Sequence, residues 1–91
     1  MPWKLILHGS VQGVFCRHYC SQIGKKLGIS GAASNLYDGT VQVFLECDDE
    51  NVIKDYIKIL KENTYKLRFY GRIKGVEAYP YTGTIEGDYI F

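Results

Sequence analysis

The sequence predicts an α+β fold, a single antiparallel sheet with two helices on one face and a short C-terminal edge strand. Three observations carry this. Four stretches read as strands and two carry the 3.6-residue period of a helix. The stretches follow one another as β-α-β-β-α-β. The 91 residues suit one small domain, expected to span residues 1–91, and hold no repeat, low-complexity tract or Pro/Gly/Ser linker.

The first strand covers Trp3 to His8, where Trp3, Leu5 and Leu7 alternate with Lys4, Ile6 and His8. Ile6 on the second face points to a central strand. Gly9 to Val14 is a loop with two glycines, Gly9 and Gly13. The first helix runs from about Cys16 to Leu27, with Cys16, Cys20, Ile23 and Leu27 on one face. Lys25 and Lys26 suit the negative end of its dipole, and Gly28 stops it. Ser30 to Leu36 is a second strand of small residues. Asp38-Gly39 is a strong hairpin signal leading into a third strand, Thr40 to Cys47.

Asp48-Asp49-Glu50 supplies a cap and acidic first turn for a second helix, about Asp49 to Lys61. Its apolar stripe is Val52, Ile53, Tyr56, Ile57 and Leu60. A fourth strand is expected over Lys66 to Val76, with Tyr79-Pro80-Tyr81 as punctuation and a short edge strand within Thr84 to Ile90. Right-handed crossovers place both helices on one side of the sheet and leave the other side open, a ferredoxin-like arrangement.

Composition excludes several function classes. The chain has a net charge of +1, which argues against a nucleic-acid or polyanion binder. The third strand also lacks the exposed aromatic pair and basic start of an RNA-recognition strand. No stretch approaches the ~18 apolar residues of a membrane span, and Met1 to Leu7 does not read as a signal peptide. Three cysteines, Cys16, Cys20 and Cys47, cannot pair evenly, so a reducing, cytoplasmic setting is expected. The four-residue spacing of Cys16 and Cys20 reads as small buried hydrophobes.

Gly9 to Arg17 carries the chemistry. A strand enters a glycine loop that opens a helix with arginine in its first turn. Amides at a helix start lack intrahelical partners, and the dipole adds about half a positive charge there. Glycine lets such a loop fold around an oxyanion, and arginine adds a planar fork for two phosphate oxygens. No Gly-Lys-Ser/Thr follows Gly13, so a nucleoside triphosphate is not implied. The same pattern also describes a plain β-to-α turn with a surface arginine.

The full string Gly9-Ser10-Val11-Gln12-Gly13-Val14-Phe15-Cys16-Arg17 resembles the acylphosphatase signature Gly-x-Val-Gln-Gly-Val-x-Phe-Arg. Gly31-Ala32-Ala33-Ser34-Asn35, followed by Asp38-Gly39-Thr40-Val41, resembles the family's second signature, Gly-x-Val-x-Asn then Asp-Gly-x-Val. The resemblance is strongest from Gly9 to Val43 and fades after the second helix. It implies hydrolysis of a small acyl phosphate to a carboxylate and inorganic phosphate, with no metal; no cofactor and a monomeric chain are expected. It assigns phosphoryl binding to Arg17 and to the loop amides of Val11, Gln12, Gly13, Val14, Phe15 and Cys16, and water positioning to Asn35.

Cys16 stands where the signature has Phe, and Ala32 and Ala33 replace bulkier residues. That loss of volume motivates an alternative, a non-catalytic phosphate- or anion-binding module on the same fold.

The remaining polar residues have simpler readings. His8, His18 and Phe44 are expected as surface or packing groups. Lys66, Arg68, Arg72 and Lys74 read as a solvated strand face, and Asp38 and Asp48-Asp49-Glu50 as turn and cap chemistry. Charge is uneven: residues 1–37 hold Lys4, Arg17, Lys25 and Lys26 and no acid. The expected site thus falls in the acid-free part of the chain.

Overall fold

The computed structural model describes residues 2–91. In chain order the elements are β1 (Trp3–Ser10), α1 (Cys16–Leu27), β2 (Gly31–Asn35), β3 (Val41–Leu45), α2 (Glu50–Glu62), β4 (Arg72–Pro80) and β5 (Tyr89–Ile90). The strands form one sheet in the order β4-β1-β3-β2-β5, with every neighbouring pair antiparallel. Strand β3 separates β1 from β2, and β1 separates β3 from β4. Each helix therefore crosses over a strand, giving the ferredoxin-like arrangement.

Register decides which residues meet the helices. Leu5 pairs with Val43, which pairs with Ala33; Leu7 pairs with Val41, which pairs with Asn35. This row faces the helices, so period-two alternation buries Leu5, Leu7, Val41, Val43 and Leu45. Against them α1 sets Cys16, Tyr19, Cys20 and Ile23, and α2 sets Ile53, Tyr56 and Leu60. The two helices exchange tyrosine bonds. Tyr19 OH donates to the Leu60 carbonyl and Tyr56 OH to the Cys20 carbonyl, both at 2.7 Å. Burial raises both phenols above their ordinary pKa and keeps them neutral donors. Cys20 is likewise raised, first by its hydrogen bond with the Cys16 thiol and then by burial.

Helix ends follow the local chemistry. The Asp49 carboxylate accepts from the Asn51 amide at 2.9 Å, and Gly28 closes α1 with a left-handed φ of 72°.

The fourth strand departs from the expected Lys66 to Val76. It begins at Arg72 and runs through Tyr79-Pro80, which end the strand rather than follow it. Residues 64–71 form a loop because side chains claim it. Asn63 holds the Leu67 backbone at both N–H and C=O, and Lys66 takes a positive φ of 53°. Phe69 stacks on Tyr19 at 4.5 Å. Lys66 and Arg68 are thus loop residues, not part of a strand face.

The second sheet face is also less open than expected. Strands β4 and β5 lie at opposite edges, so the segment between them crosses the sheet. Tyr81 stacks on Phe44 at 4.4 Å, and Gly87 packs against Ala32 and Ser34. The chain then pairs Tyr89 and Ile90 with β2, and the Phe91 ring lies against Gly24 and Gly31. A side chain at Gly24 would strike that ring, which is why a mid-helix glycine is accepted there.

Candidate active site

The loop between β1 and α1 is shaped by two left-handed residues, Gly13 (φ 73°) and Phe15 (φ 64°). Glycine takes this conformation freely; for phenylalanine it costs about 1–2 kcal/mol. Left-handed residues alternating with ordinary ones curl a backbone so that its amides converge, as in an anion nest. Among the described residues, none of the amides from Gln12 to Cys16 donates to a protein acceptor. The first turn of α1 carries no acid and no side-chain cap, so no residue of the helix itself offsets its positive end.

This loop opens on a cavity of about 290 Å³ lined by Val11, Gly13, Phe15, Cys16, Arg17, His18, Asn35 and Tyr89. Arg17 reaches it from the first turn of α1 and Asn35 from the last position of β2. Among the described residues the Asn35 side-chain amide makes no hydrogen bond to protein, so its donors and acceptor are free for a ligand.

Of the sequence-derived candidates, Val11, Gly13, Phe15, Cys16, Arg17 and Asn35 therefore share one wall. The side chains of Gln12 and Val14 do not. The Gln12 amide donates to the Leu36 carbonyl at 2.6 Å and to the Thr40 carbonyl at 2.9 Å. It ties the loop to the β2–β3 hairpin that presents Asn35. Asp38 shapes that hairpin by accepting from the Thr40 hydroxyl at 2.6 Å and the Thr40 amide at 3.1 Å. The same two bonds, hydroxyl first, hold its carboxyl below the ordinary range. Val14 faces the 64–71 loop, where its carbonyl accepts from the Tyr70 amide at 3.2 Å.

Two further contributors, not expected from the sequence, come from the C-terminal segment. Asp88 lies 3.6 Å from Arg17 Nη1, accepts from the Asn35 amide at 3.3 Å, and donates its own amide to Ser34 Oγ at 2.9 Å. A carboxylate from the acidic part of the chain thus folds onto the acid-free part and braces both candidate residues. Tyr89 OH lies 2.8 Å from His18 Nδ1, and both line the cavity. His18 is exposed, as expected, but its place in the cavity wall is new. No local signal announces these contacts, because 53 to 71 residues separate the partners.

Cys16, Ala32 and Ala33 are the positions that depart from the signatures. All three are buried, at 2%, 0% and 0% exposure. Among the described residues no three His, Cys, Asp or Glu side chains stand close enough to hold a metal ion, and no helix is long and apolar enough to cross a membrane.

The family model described as acylphosphatase matches residues 3–89. An acylphosphatase of Caldanaerobacter subterraneus subsp. tengcongensis is 47% identical over 57 residues, 63% of this chain and 62% of that protein. An acylphosphatase-like protein of Methanocaldococcus jannaschii is 41% identical over 65% of this chain but only 39% of its own length. The chain therefore aligns with less than two thirds of each of these two. An acylphosphatase of Lactococcus lactis is 30% identical over 85% of this chain and 82% of that one. Among solved structures, the Bacillus subtilis acylphosphatase superposes with a TM-score of 0.74 over 99% of this chain and 98% of that one, at 19% identity, a likeness of fold. The Coxiella burnetii acylphosphatase gives 0.64 over 93% and 82%, at 25% identity.

Proposed function

The chain belongs to the acylphosphatase family, and from that premise we propose that it hydrolyses small acyl phosphates to a carboxylate and inorganic phosphate. The observation that supports this best is the convergence of Arg17, Asn35 and the unpaired loop amides on one cavity.

In this reading the Arg17 guanidinium grips two phosphoryl oxygens, and the amides from Val11 to Cys16 take the rest. The Asn35 side chain holds a water in line with the P–O bond to the acyl group. The water oxygen bonds to phosphorus as that P–O bond breaks, and its electron pair leaves on the carboxylate. The water's proton passes to a phosphoryl oxygen, so no protein base is needed. An acyl phosphate already has a good leaving group. What remains is placement and charge stabilisation, the terms that dominate phosphoryl transfer. The chain acts as a monomer on a small substrate, in the cytoplasm, without metal, cofactor or nucleic acid.

Arg17→Ala is expected to lower kcat/KM on acetyl phosphate by at least about 100-fold, the scale for losing one positioned charge-stabilising donor. Asn35→Ala should lose a similar factor in kcat while inorganic phosphate still binds as a competitive inhibitor. Turnover should survive a chelator. Near-normal rates in either folded variant would overturn the roles of Arg17 and Asn35. Saturable phosphate binding with no turnover by the wild-type protein would favour the anion-binding module instead.

A further inference from the structure

We propose that Phe15, Arg68 and Tyr70 form the wall that receives the acyl group, and that it selects flat aromatic acyl groups over small aliphatic ones. The inference rests on the hydrolase reading and names the substrate class for that site.

Phe15 is the starting point. Its backbone amide lies in the cradle, the residue lines the cavity, and it stays 52% exposed. A bulky residue in the left-handed region and an exposed apolar ring are both unfavourable to folding. It also stands at a position the signature leaves open. Beyond it the Tyr70 ring lies 5.6 Å away, tilted at 55°, and is 68% exposed. The Arg68 guanidinium stands 5.9 Å over the Phe15 ring and makes no ion pair among the described residues.

The two loops are fastened together. The Tyr70 amide donates to the Val14 carbonyl, and a side chain at Gly71 would strike the Ser10 carbonyl and Val14. The aromatic wall is therefore held beside the phosphate cradle, not displayed on a free loop.

The chemistry of these three side chains fits a planar π system. Aromatic rings pair edge-to-face or offset, each such pair contributing about 2- to 10-fold in affinity beyond area burial. A guanidinium lies flat on an aromatic face, adding about 2- to 5-fold at an exposed site. An acetyl group is too small to reach past Phe15 and gains neither. With the phosphoryl group in the cradle, an aromatic acyl group leaving the cavity over Phe15 meets Tyr70 and Arg68.

The test compares benzoyl phosphate with acetyl phosphate on the full chain. Tyr70→Ala should lower kcat/KM for benzoyl phosphate by about 2- to 10-fold and Arg68→Ala by about 2- to 5-fold, the scale of the ring and guanidinium contacts. The change should lie in KM. Acetyl phosphate turnover and inhibition by inorganic phosphate should stay within about 2-fold of wild type, and Tyr70→Phe should restore selectivity. Equal losses on both substrates, or no loss on either, overturn the acyl wall while leaving the hydrolase intact. A wild-type protein that cleaves neither anhydride but binds phosphate overturns the hydrolase reading, and the acyl wall falls with it.

Discussion

Two parts of the molecule build the candidate site in different ways. Residues 9–43 do so through local chemistry: a glycine loop, a helix start, a hairpin. Residues 63–91 do so through contacts far apart in sequence: Tyr70 on Val14, Phe69 on Tyr19, Asp88 on Arg17 and Asn35. The first part supplies the groups that would touch a phosphoryl oxygen. The second holds them still and walls the cavity. An anion site can thus be written in a short string, while its rigidity depends on the rest of the chain.

The largest effect expected from disturbing the second part is on stability. Phe69 stacks nearly parallel on buried Tyr19, with 5° between the rings. Phe69→Ala should cost about 2 kcal/mol in denaturant unfolding, below the 3–5 kcal/mol of a fully buried ring because Phe69 is half-buried. If unfolding is unchanged, the 64–71 loop lies on the core without supporting it. Within the first part, Gln12→Ala should lower kcat about 10-fold by freeing the cradle from the Asn35 hairpin, an effect of placement. Phosphate inhibition should change much less, since the amides and Arg17 remain.

Asp88 gives a smaller effect with a distinctive split. Its carboxylate orients Arg17 but also repels an anionic substrate from the same guanidinium. Asp88→Asn should lower kcat by about 5-fold through looser Arg17 placement, while KM falls as the competing charge is removed. Inorganic phosphate should inhibit more tightly. A rise in KM would mean that Asp88 serves only to dock the C-terminal segment.

The same contrast explains what could be read in advance. The bounds of α1, both helix caps and the Asp38 turn were legible because each depends on residues within four positions. The six-strong cluster from Val11 to Asn35 was legible because two signatures carry it. Strand β4 was not, because the alternation from Lys66 to Val76 continues through residues that Asn63 and Tyr19 pull out of the sheet. The crossing of the second sheet face was not legible either, since nothing local to Tyr81 specifies Phe44. Asp88 sits beyond residue 37, in the part of the chain that holds all ten acids. A count of charge along the chain could not show that one carboxylate returns to the acid-free end.

The smallest expected effect tests the first part alone, through pH. Asp38 accepts the Thr40 hydroxyl and amide, and these bonds lower its pKa below the ordinary value. In the unfolded chain it has no such partners and binds its proton more readily. Between the two pKa values the unfolded state holds more protons, so stability rises with pH across that interval. The contribution is complete above the unfolded value, about pH 4, and fades as pH falls through the lower folded value. Glu77, on β4, behaves in the same sense, lowered first by the Tyr79 hydroxyl and then by His8, with the Asp38 charge only a smaller opposing cause, so it serves as the control outside the hairpin. Asp38→Asn should flatten the acid limb of the stability curve below about pH 4 and also lower kcat, because Thr40 then holds Gln12 and the cradle less firmly. Glu77→Gln should flatten the acid limb and leave kcat alone. If both variants leave kcat untouched, the hairpin is fixed by its backbone and the link from Asp38 through Thr40 to Gln12 plays no part in placing Asn35.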